Sequence, residues 1–277
     1  MLRAADLTFG YGDMPVVRGV SLEVPANGFA GIIGPNGSGK TTLLRLLAGT
    51  RKPQQGTVRL DGAPLTSLTR GDIARRMAVV PQETQLAFEY TVLEVVLMGR
   101  YPHLGAFQVE GPRDVEIARA ALTSTGTLPL EARMFSTLSG GEKQRVIIAA
   151  ALAQITASER TSEHPAILLL DEPTAALDLK YQLETASLLR SLHAEHALSV
   201  VVSTHDLNFA AALCQTLVML KDGQVIASGP VNDVLTPRRI RELYDVDAEV
   251  TRHSRTGHLT VVPIASASAC GPHEATE

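Results

Sequence analysis

Tryptophan is absent from this 277-residue sequence, and all aromatic residues together make up 4% of it. A core must therefore be built from Leu, Val, Ile and Ala, and the hydrophobic share of 45% is ample for that. Cysteine occurs only as Cys214 and Cys270. Two thiols at this separation make neither a disulfide framework nor a zinc pattern, so both are expected free, in a reducing compartment. No apolar run approaches the roughly 18 residues of a bilayer span, and the longest candidate, 198–202, is far shorter. The first residues place Arg3 and Asp6 close together, with no secretory apolar stretch. The chain is therefore expected to stay in the cytoplasm and to reach a membrane only through a partner. Excess positive charge is missing too. A formal net charge of -4 argues against a nucleic-acid binder, which carries a basic patch or stripe.

The length suits one large domain or two small ones. Residues 5–24 alternate apolar and polar positions around glycines and read as short antiparallel strands. An apolar run at 29–33 ends in a glycine-rich turn, after which 41–48 reads as a helix stopped by Gly49. A strand at 57–60 enters a tight turn at Asp61-Gly62, and a short strand at 78–80 is stopped by Pro81. From 90 to about 154 the spacing becomes helical. Val92, Val95 and Val96 share one face, Ile117, Ala120 and Ala121 another, and 146–153 is a further apolar helix, with breaks at Pro102, Gly111 and Gly126. Strands return at 167–170 and 198–202 as continuous apolar runs, the pattern of a parallel sheet buried on both faces. A hairpin is expected about Asp222-Gly223. The Ala- and Ser-rich end, roughly 264–277, is expected to be mobile. The layout is an α/β core with a helical insertion.

Gly34, Pro35, Asn36, Gly37, Ser38, Gly39, Lys40 and Thr41 fit G-x-x-x-x-G-K-[ST] at every fixed position, between an apolar strand and a helix. Glycines let backbone N–H groups turn inward around phosphate oxygens, and the helix N-terminus adds partial positive charge. Lys40 would reach the β- and γ-phosphates, the Thr41 hydroxyl would ligate Mg²⁺, and Thr42 continues the cradle into the helix. The segment therefore points to binding of a nucleoside triphosphate. The apolar strand 167–170 ends in Asp171 and Glu172. In enzymes with such a loop an Asp here holds Mg²⁺, which suits Asp171. Glu172, one residue on and pointing differently, could polarise an attacking water.

Leu138, Ser139, Gly140, Gly141 and Glu142, followed by Gln144 and Arg145, resemble the signature of ATP-binding cassette proteins. The same five residues also form a helix N-cap, with Glu142 three positions after Ser139 as in a capping box. The resemblance covers residues 2–235 and carries its motifs in the family's order. It implies that Tyr11 stacks on adenine, that Gln82 touches Mg²⁺ and the attacking water and senses a membrane partner, and that His205 contacts the γ-phosphate. Ala175, Ala176, Leu177 and Asp178 resemble the loop that crosses the dimer interface. The implied fold is an α/β P-loop NTPase core of the RecA-like kind, with an antiparallel β subdomain and an inserted helical subdomain at about 84–160. Residues 1–236 would form the ATPase domain and 237–277 a C-terminal extension. Because the family's signature covers the nucleotide held by the other subunit's cradle, a second copy of the chain is expected, joined head to tail by ATP. The implied partners are an integral membrane permease and, indirectly, a periplasmic or surface binding protein, with no nucleic acid. The chain would lie on the cytoplasmic face of the inner membrane, with ATP and Mg²⁺ as its ligands.

The segment Glu94 to His103 looks like the region after the glutamine loop in importers of iron chelates, haem and cobalamin. Gly99 and Pro102 would shape a groove there for a permease helix, and Arg100 would pair with that helix. Residues 178–182 resemble the same branch. The polar stretch 156–164 is longer than the usual connection and tilts the reading toward haem. A cobalamin importer, an exporter cassette on its own chain, and a soluble cassette acting on ribosomes or DNA are the alternatives. His253, His258, Cys270 and His273 fit no standard metal spacing.

Overall fold

The computed structural model describes residues 1–84, 86–156, 165–175 and 177–266. Strands β1 (Leu2–Tyr11), β2 (Met14–Val24) and β3 (Phe29–Ile33) precede helix α1 (Lys40–Leu47), β4 (Gln55–Leu60) and β5 (Ala63–Pro64). Helix α2 (Arg70–Arg76) leads into β6 (Met77–Val80). Three helices follow, α3 (Val92–Met98), α4 (Pro112–Ser124) and α5 (Gly140–Ile155), before the chain returns as β7 (Ile167–Asp171). Helix α6 (Leu179–His196), β8 (Ser199–Thr204), α7 (Leu207–Leu213), β9 (Thr216–Lys221) and β10 (Gln224–Pro230) come next. The described chain closes with α8 (Val231–Val234), α9 (Pro237–Tyr244), β11 (Val246–Arg252) and β12 (Leu259–Ser266).

The main sheet has strand order β10-β9-β3-β8-β7-β6. Its strands are parallel except β10, which returns beside β9 through a turn with Asp222 and Gly223 both at positive φ, 49° and 77°. Apolar runs without alternation form these strands because both faces are covered. Ile167 and Leu169 point into a core shared with α1 and the antiparallel strands, whereas Leu168 and Leu170 point into a core shared with the helices. Each fully buried Leu or Ile contributes roughly 1.5–3 kcal/mol. The second sheet, β2-β1-β4-β5, is antiparallel and caps the α1 side.

Register then places the functional ends. Ile32 pairs with Ser203 and Ile33 with Thr204, Asp171 pairs with Ser203, and Val80 pairs with Leu170. The C-terminal ends of four parallel strands therefore finish at one edge. Such an edge, outside the carboxyl ends of the strands, is where open α/β sheets bind ligands.

Several expectations change. The first two strands are long, at 10 and 11 residues. Helix α2 had no sequence signal because none of its seven residues is fully buried. On α4 the buried face is Ala118, Ala121 and Leu122, with Ile117 half-buried, and Ala120 faces solvent. Residues 264–266 belong to β12, while 267–277, and with them most of the stretch expected to be mobile, lie outside the described residues. The polar stretch 156–164 falls almost entirely outside them as well.

In the segment expected to form a groove with Gly99 and Pro102 and to present Arg100 to a partner, Gly99 and Arg100 pack inward. A Cβ on Gly99 would sit 2.3 Å from the Ala150 carbonyl oxygen, so only glycine lets α3 approach α5 this closely. Arg100 is 5% exposed and turns inward. Its Nε donates to Asp114 at 3.0 Å, and its Nη1 donates to the carbonyls of Ala153 (2.6 Å) and Thr156 (3.0 Å). Pairing and hydrogen bonding are what a buried guanidinium requires, so it is not free to reach another chain. Burial pushes the Asp114 carboxyl up, but the Gly111 N–H and Arg100 outweigh it and hold it below the usual carboxylate range.

Truncating Arg100→Ala removes the charged donor from that carboxylate, which keeps the Gly111 N–H, and from two carbonyls, and should cost about 3 kcal/mol at neutral pH. Asp114 has a depressed folded pKa, so its stabilisation is present above the ordinary carboxylate range and is lost as pH falls through the folded value. Urea midpoints of the two proteins should therefore differ most at neutral pH and converge in acid.

Candidate active site

Strand β3 delivers Gly34 to the edge of the sheet, where the chain turns sharply. A Cβ on Gly34 would lie 2.2 Å from the Leu220 carbonyl oxygen, so no larger residue fits. Gly39 caps α1 with φ at 103°, in the left-handed region. Lys40, the first residue of α1, is 5% exposed. Its Nζ donates to the carbonyls of Gly34 (2.9 Å) and Pro35 (3.1 Å) and lies 3.2 Å from Glu172 Oε1. The loop thus folds back over its own lysine.

Strand β7 supplies the acidic pair. Asp171 is buried, and its Oδ1 accepts from Thr41 Oγ1 at 3.1 Å and from Ser203 Oγ at 2.6 Å. Glu172 adopts φ of 46°, a left-handed conformation uncommon for such a residue. Its backbone N–H donates to the Ser203 carbonyl at 3.0 Å, which keeps it tied to β8 after the strand has ended. The twist sends the two side chains apart. Asp171 turns to Thr41, while Glu172 Oε2 lies 2.9 Å from His205 Nδ1. An ionised carboxylate only accepts, so Nδ1 carries the proton of this contact and Nε2 remains for another group.

Lys40, Glu172 and His205 share an open cavity of about 570 Å³ with Asn36, Gly37, Gly39, Thr41 and Thr42. Gln82 lines its far side and is exposed. The residues fit a triphosphate with a divalent cation. Ser38 Oγ is buried and has no hydrogen-bond partner among the described residues, a donor that an anion in the cradle would satisfy. Thr41 and Asp171 offer one hydroxyl and one carboxylate, the sparse oxygen set of a Mg²⁺ that takes its other ligands from phosphate and water. Among the described residues no group of three or more His, Cys, Asp or Glu could hold a metal by itself, and His253 and His258 only meet through backbone at the β11–β12 turn. Cys270 and His273 lie outside the described residues.

Other expected site residues stand apart from this cavity. Tyr11, at the end of β1, is 44% exposed and meets Phe9 edge-on at 5.1 Å between ring centres. A hydrogen bond with Thr42, with Arg45 beside it, draws the Tyr11 phenol below its ordinary pKa despite partial burial, which places the ring beside α1. The signature begins α5. Ser139 accepts from the Glu142 N–H, while Glu142 Oε2 accepts from the Ser139 N–H at 2.8 Å and hydroxyl at 2.9 Å, a complete capping box. Gly140 follows Ser139 at the first turn, and Gly141 packs on Tyr181, whose ring would be 2.5 Å from any added Cβ. Asp178 sits exposed before α6, and Ala176 lies outside the described residues. Neither the signature nor Asp178 lines the cavity of its own chain.

A second cavity, of about 640 Å³, opens between Thr84 and residues 86–90 on one side and Phe135, Ser136 and Lys143 on the other. Phe88 is 74% exposed at its mouth, with Tyr90 edge-on to it and Lys143 over the Phe135 ring. It is a concave surface near the glutamine loop. Sequence reasoning also passed over Ser203, whose hydroxyl holds Asp171 and whose carbonyl holds Glu172. The available signal was a serine directly after the apolar run Val200, Val201 and Val202 in a strand that is buried throughout.

Residues 17–175 match the ABC transporter family. Over 274 residues the chain is 42% identical to the hemin import ATP-binding protein HmuV of Gloeobacter violaceus, spanning 99% of this chain and 98% of that one. It is 37% identical to the iron(3+)-hydroxamate import ATP-binding protein FhuC of Bacillus subtilis, spanning 92% and 91%. Its fold is similar to that of a metal-chelate type ABC transporter in an inward-facing conformation, with a TM-score of 0.80 at 29% identity over 95% of this chain and 96% of that one. It is also similar to the dimeric, post-hydrolysis cassette MJ0796 bound to ADP and Pi, with a TM-score of 0.69 at 30% identity over 83% and 99%.

Replacing Ser203→Ala removes one of two donors from a buried carboxylate and should lower stability by about 1–3 kcal/mol. If Asp171 serves the cation, the Mg²⁺ concentration for half-maximal ATPase should also move. Urea unfolding and a Mg²⁺ titration of turnover check the two effects separately.

Proposed function

The chain belongs to the ATP-binding cassette transporter family and is an ATPase of that family, and on that premise we propose that it energises uptake of an iron chelate, haem or a ferric siderophore. The observation that carries the ATPase chemistry is the convergence of Lys40, Glu172 and His205 on one cavity, with Asp171 beside it. In this reading the phosphate-loop N–H groups and Lys40 bind and orient the β- and γ-phosphates of ATP. Thr41, Asp171 and Gln82 would hold Mg²⁺, which when bound neutralises charge on the phosphate oxygens. Glu172 takes the proton of the attacking water, and Nε2 of His205 faces the γ-phosphate, while the Nδ1 contact with Glu172 sets the ring's orientation.

ATP and ADP are the nucleotides of this family, and its import cassettes work as dimers beside a membrane permease. For this chain the second cassette would be another copy. Ser139, Gly140 and Gly141 lie at the start of α5 and outside their own chain's cavity, as a segment serving a partner's nucleotide must. Tyr11 would meet adenine, and Asp178 the facing subunit. Glu142, engaged in the capping box, would act by shaping that segment. Among the described residues no helix is long and apolar enough to cross a membrane. Association with the membrane is then peripheral, and we place it on the cytoplasmic face. The cavity beside Phe88 is the concave surface offered to the permease, next to Gln82. A binding protein outside the membrane would hand over the cargo.

The cargo reading rests on the 42% identity to a hemin import cassette along nearly the whole of both chains. Haem stands before ferric hydroxamate on that ground, and cobalamin is the alternative. The test is deletion of the gene, with haem, ferric hydroxamate or cobalamin in turn as the limiting nutrient. Uptake of haem or of ferric hydroxamate should be lost and restored by the intact gene. Unimpaired uptake of both would contradict the cargo, and loss confined to cobalamin would select the alternative.

A further inference from the structure

The C-terminal extension touches the nucleotide site. Helix α9 starts with Thr236 accepting from the Arg239 N–H, with Pro237 at its first position, and buries Ile240 and Leu243. Its last turn is held by Lys221, whose Nζ donates to the Glu242 carbonyl at 2.6 Å, a cation at a helix C-terminus. The helix therefore presents Tyr244, its final residue, in a fixed place. The Tyr244 hydroxyl donates to the backbone carbonyl of His205 at 3.4 Å. One side chain from the extension thus holds the backbone of the histidine that contacts Glu172.

A second tie acts just downstream. Asn208, on α7, donates from Nδ2 to the Val261 carbonyl at 3.2 Å and accepts the Val261 N–H at 2.8 Å, clamping β12 to the helix that begins after His205. Between these ties lies an apolar cavity of about 310 Å³ bounded by His205, Tyr244, Ala248 and Val261. Parallel register fixes Thr204 on one side of His205 and the Asp206 cap of α7 fixes the other, and the Tyr244 hydrogen bond adds a tie to the His205 carbonyl itself. Burial, with the Glu172 carboxylate nearby, pushes the phenol's pKa up, so it stays protonated and can donate.

We propose that Tyr244 is a positioning residue for ATP hydrolysis, its hydroxyl tying the His205 backbone to helix α9 and so setting the contact between His205 and Glu172. The inference rests on the reading of His205 and Glu172 as parts of the ATPase centre. It makes the C-terminal extension a component of that centre.

The test is Tyr244→Phe in the full chain, with Mg·ATP turnover, KM and thermal unfolding measured together. Losing one neutral hydrogen bond should lower kcat roughly two- to ten-fold, with KM for ATP within about two-fold and Tm within about 4 °C. Because the hydroxyl acts through His205, Tyr244→Phe should cause no further loss in a His205→Ala background. A purely structural role predicts a fall in Tm with kcat retained. Unchanged kcat in Tyr244→Phe, or a full additive loss in the double variant, would overturn the proposal. Unchanged turnover in His205→Ala alone would instead overturn the reading of His205 on which it rests.

Discussion

A lysine ammonium that is 5% exposed must be surrounded by acceptors, and the candidate site is organised around meeting that demand for Lys40. Two acceptors come from the loop itself, at Gly34 and Pro35, and the third is Glu172 from another strand. Glu172 can reach it only because its backbone turns left-handed directly after β7, leaving Asp171 on one side and Glu172 on the other. Backbone strain of that kind persists when surrounding structure over-determines it. Here the surroundings are the Ser203 carbonyl on the Glu172 N–H and the His205 ring on its carboxylate. The parallel register of β3, β7 and β8 supplies all three at one level.

The same constraint separates what was legible in the sequence from what was not. The phosphate loop was readable because its glycines answer to local geometry. Gly34 has a carbonyl where a side chain would be, and Gly39 has a positive φ. The strands were readable because burial on both faces leaves continuous apolar runs. The capping box at Ser139 was readable because its spacing is intrinsic to a helix start, and the structure closes it. Features that depend on which distant residue arrives were not readable. Nothing local tells that Arg100 turns toward Asp114 and the end of α5, so an outward role was expected for it. Ser203 and Tyr244 act through backbone groups of other elements, and backbone groups leave no trace in residue identity. Helix α2 and the β11–β12 hairpin lack a strong apolar stripe, and therefore no periodicity announced them.

The division of labour follows the architecture. One edge of the sheet gathers the groups that can handle phosphate, and the signature segment starts a helix that leaves its own chain's cavity untouched. In the proposed reading, a cradle and a signature placed apart in this way would be completed by a second copy of the chain. The cavity beside the exposed Phe88 is lined by Thr84, two residues after Gln82, which lines the nucleotide cavity. In the proposed reading, a shift in that segment, provoked by a partner at Phe88, would be felt at the nucleotide cavity.

The central claim is that Glu172, fixed by Lys40, His205 and the β8 backbone, activates the water that attacks ATP. Steady-state turnover and ATP affinity of Glu172→Gln test it most directly, because glutamine keeps the size and the hydrogen bonds but cannot take a proton. The account predicts a fall in turnover of about 10² or more, the usual scale for a general base, with ATP affinity retained and an ATP-stabilised dimer on size exclusion. Turnover near the original value would contradict it.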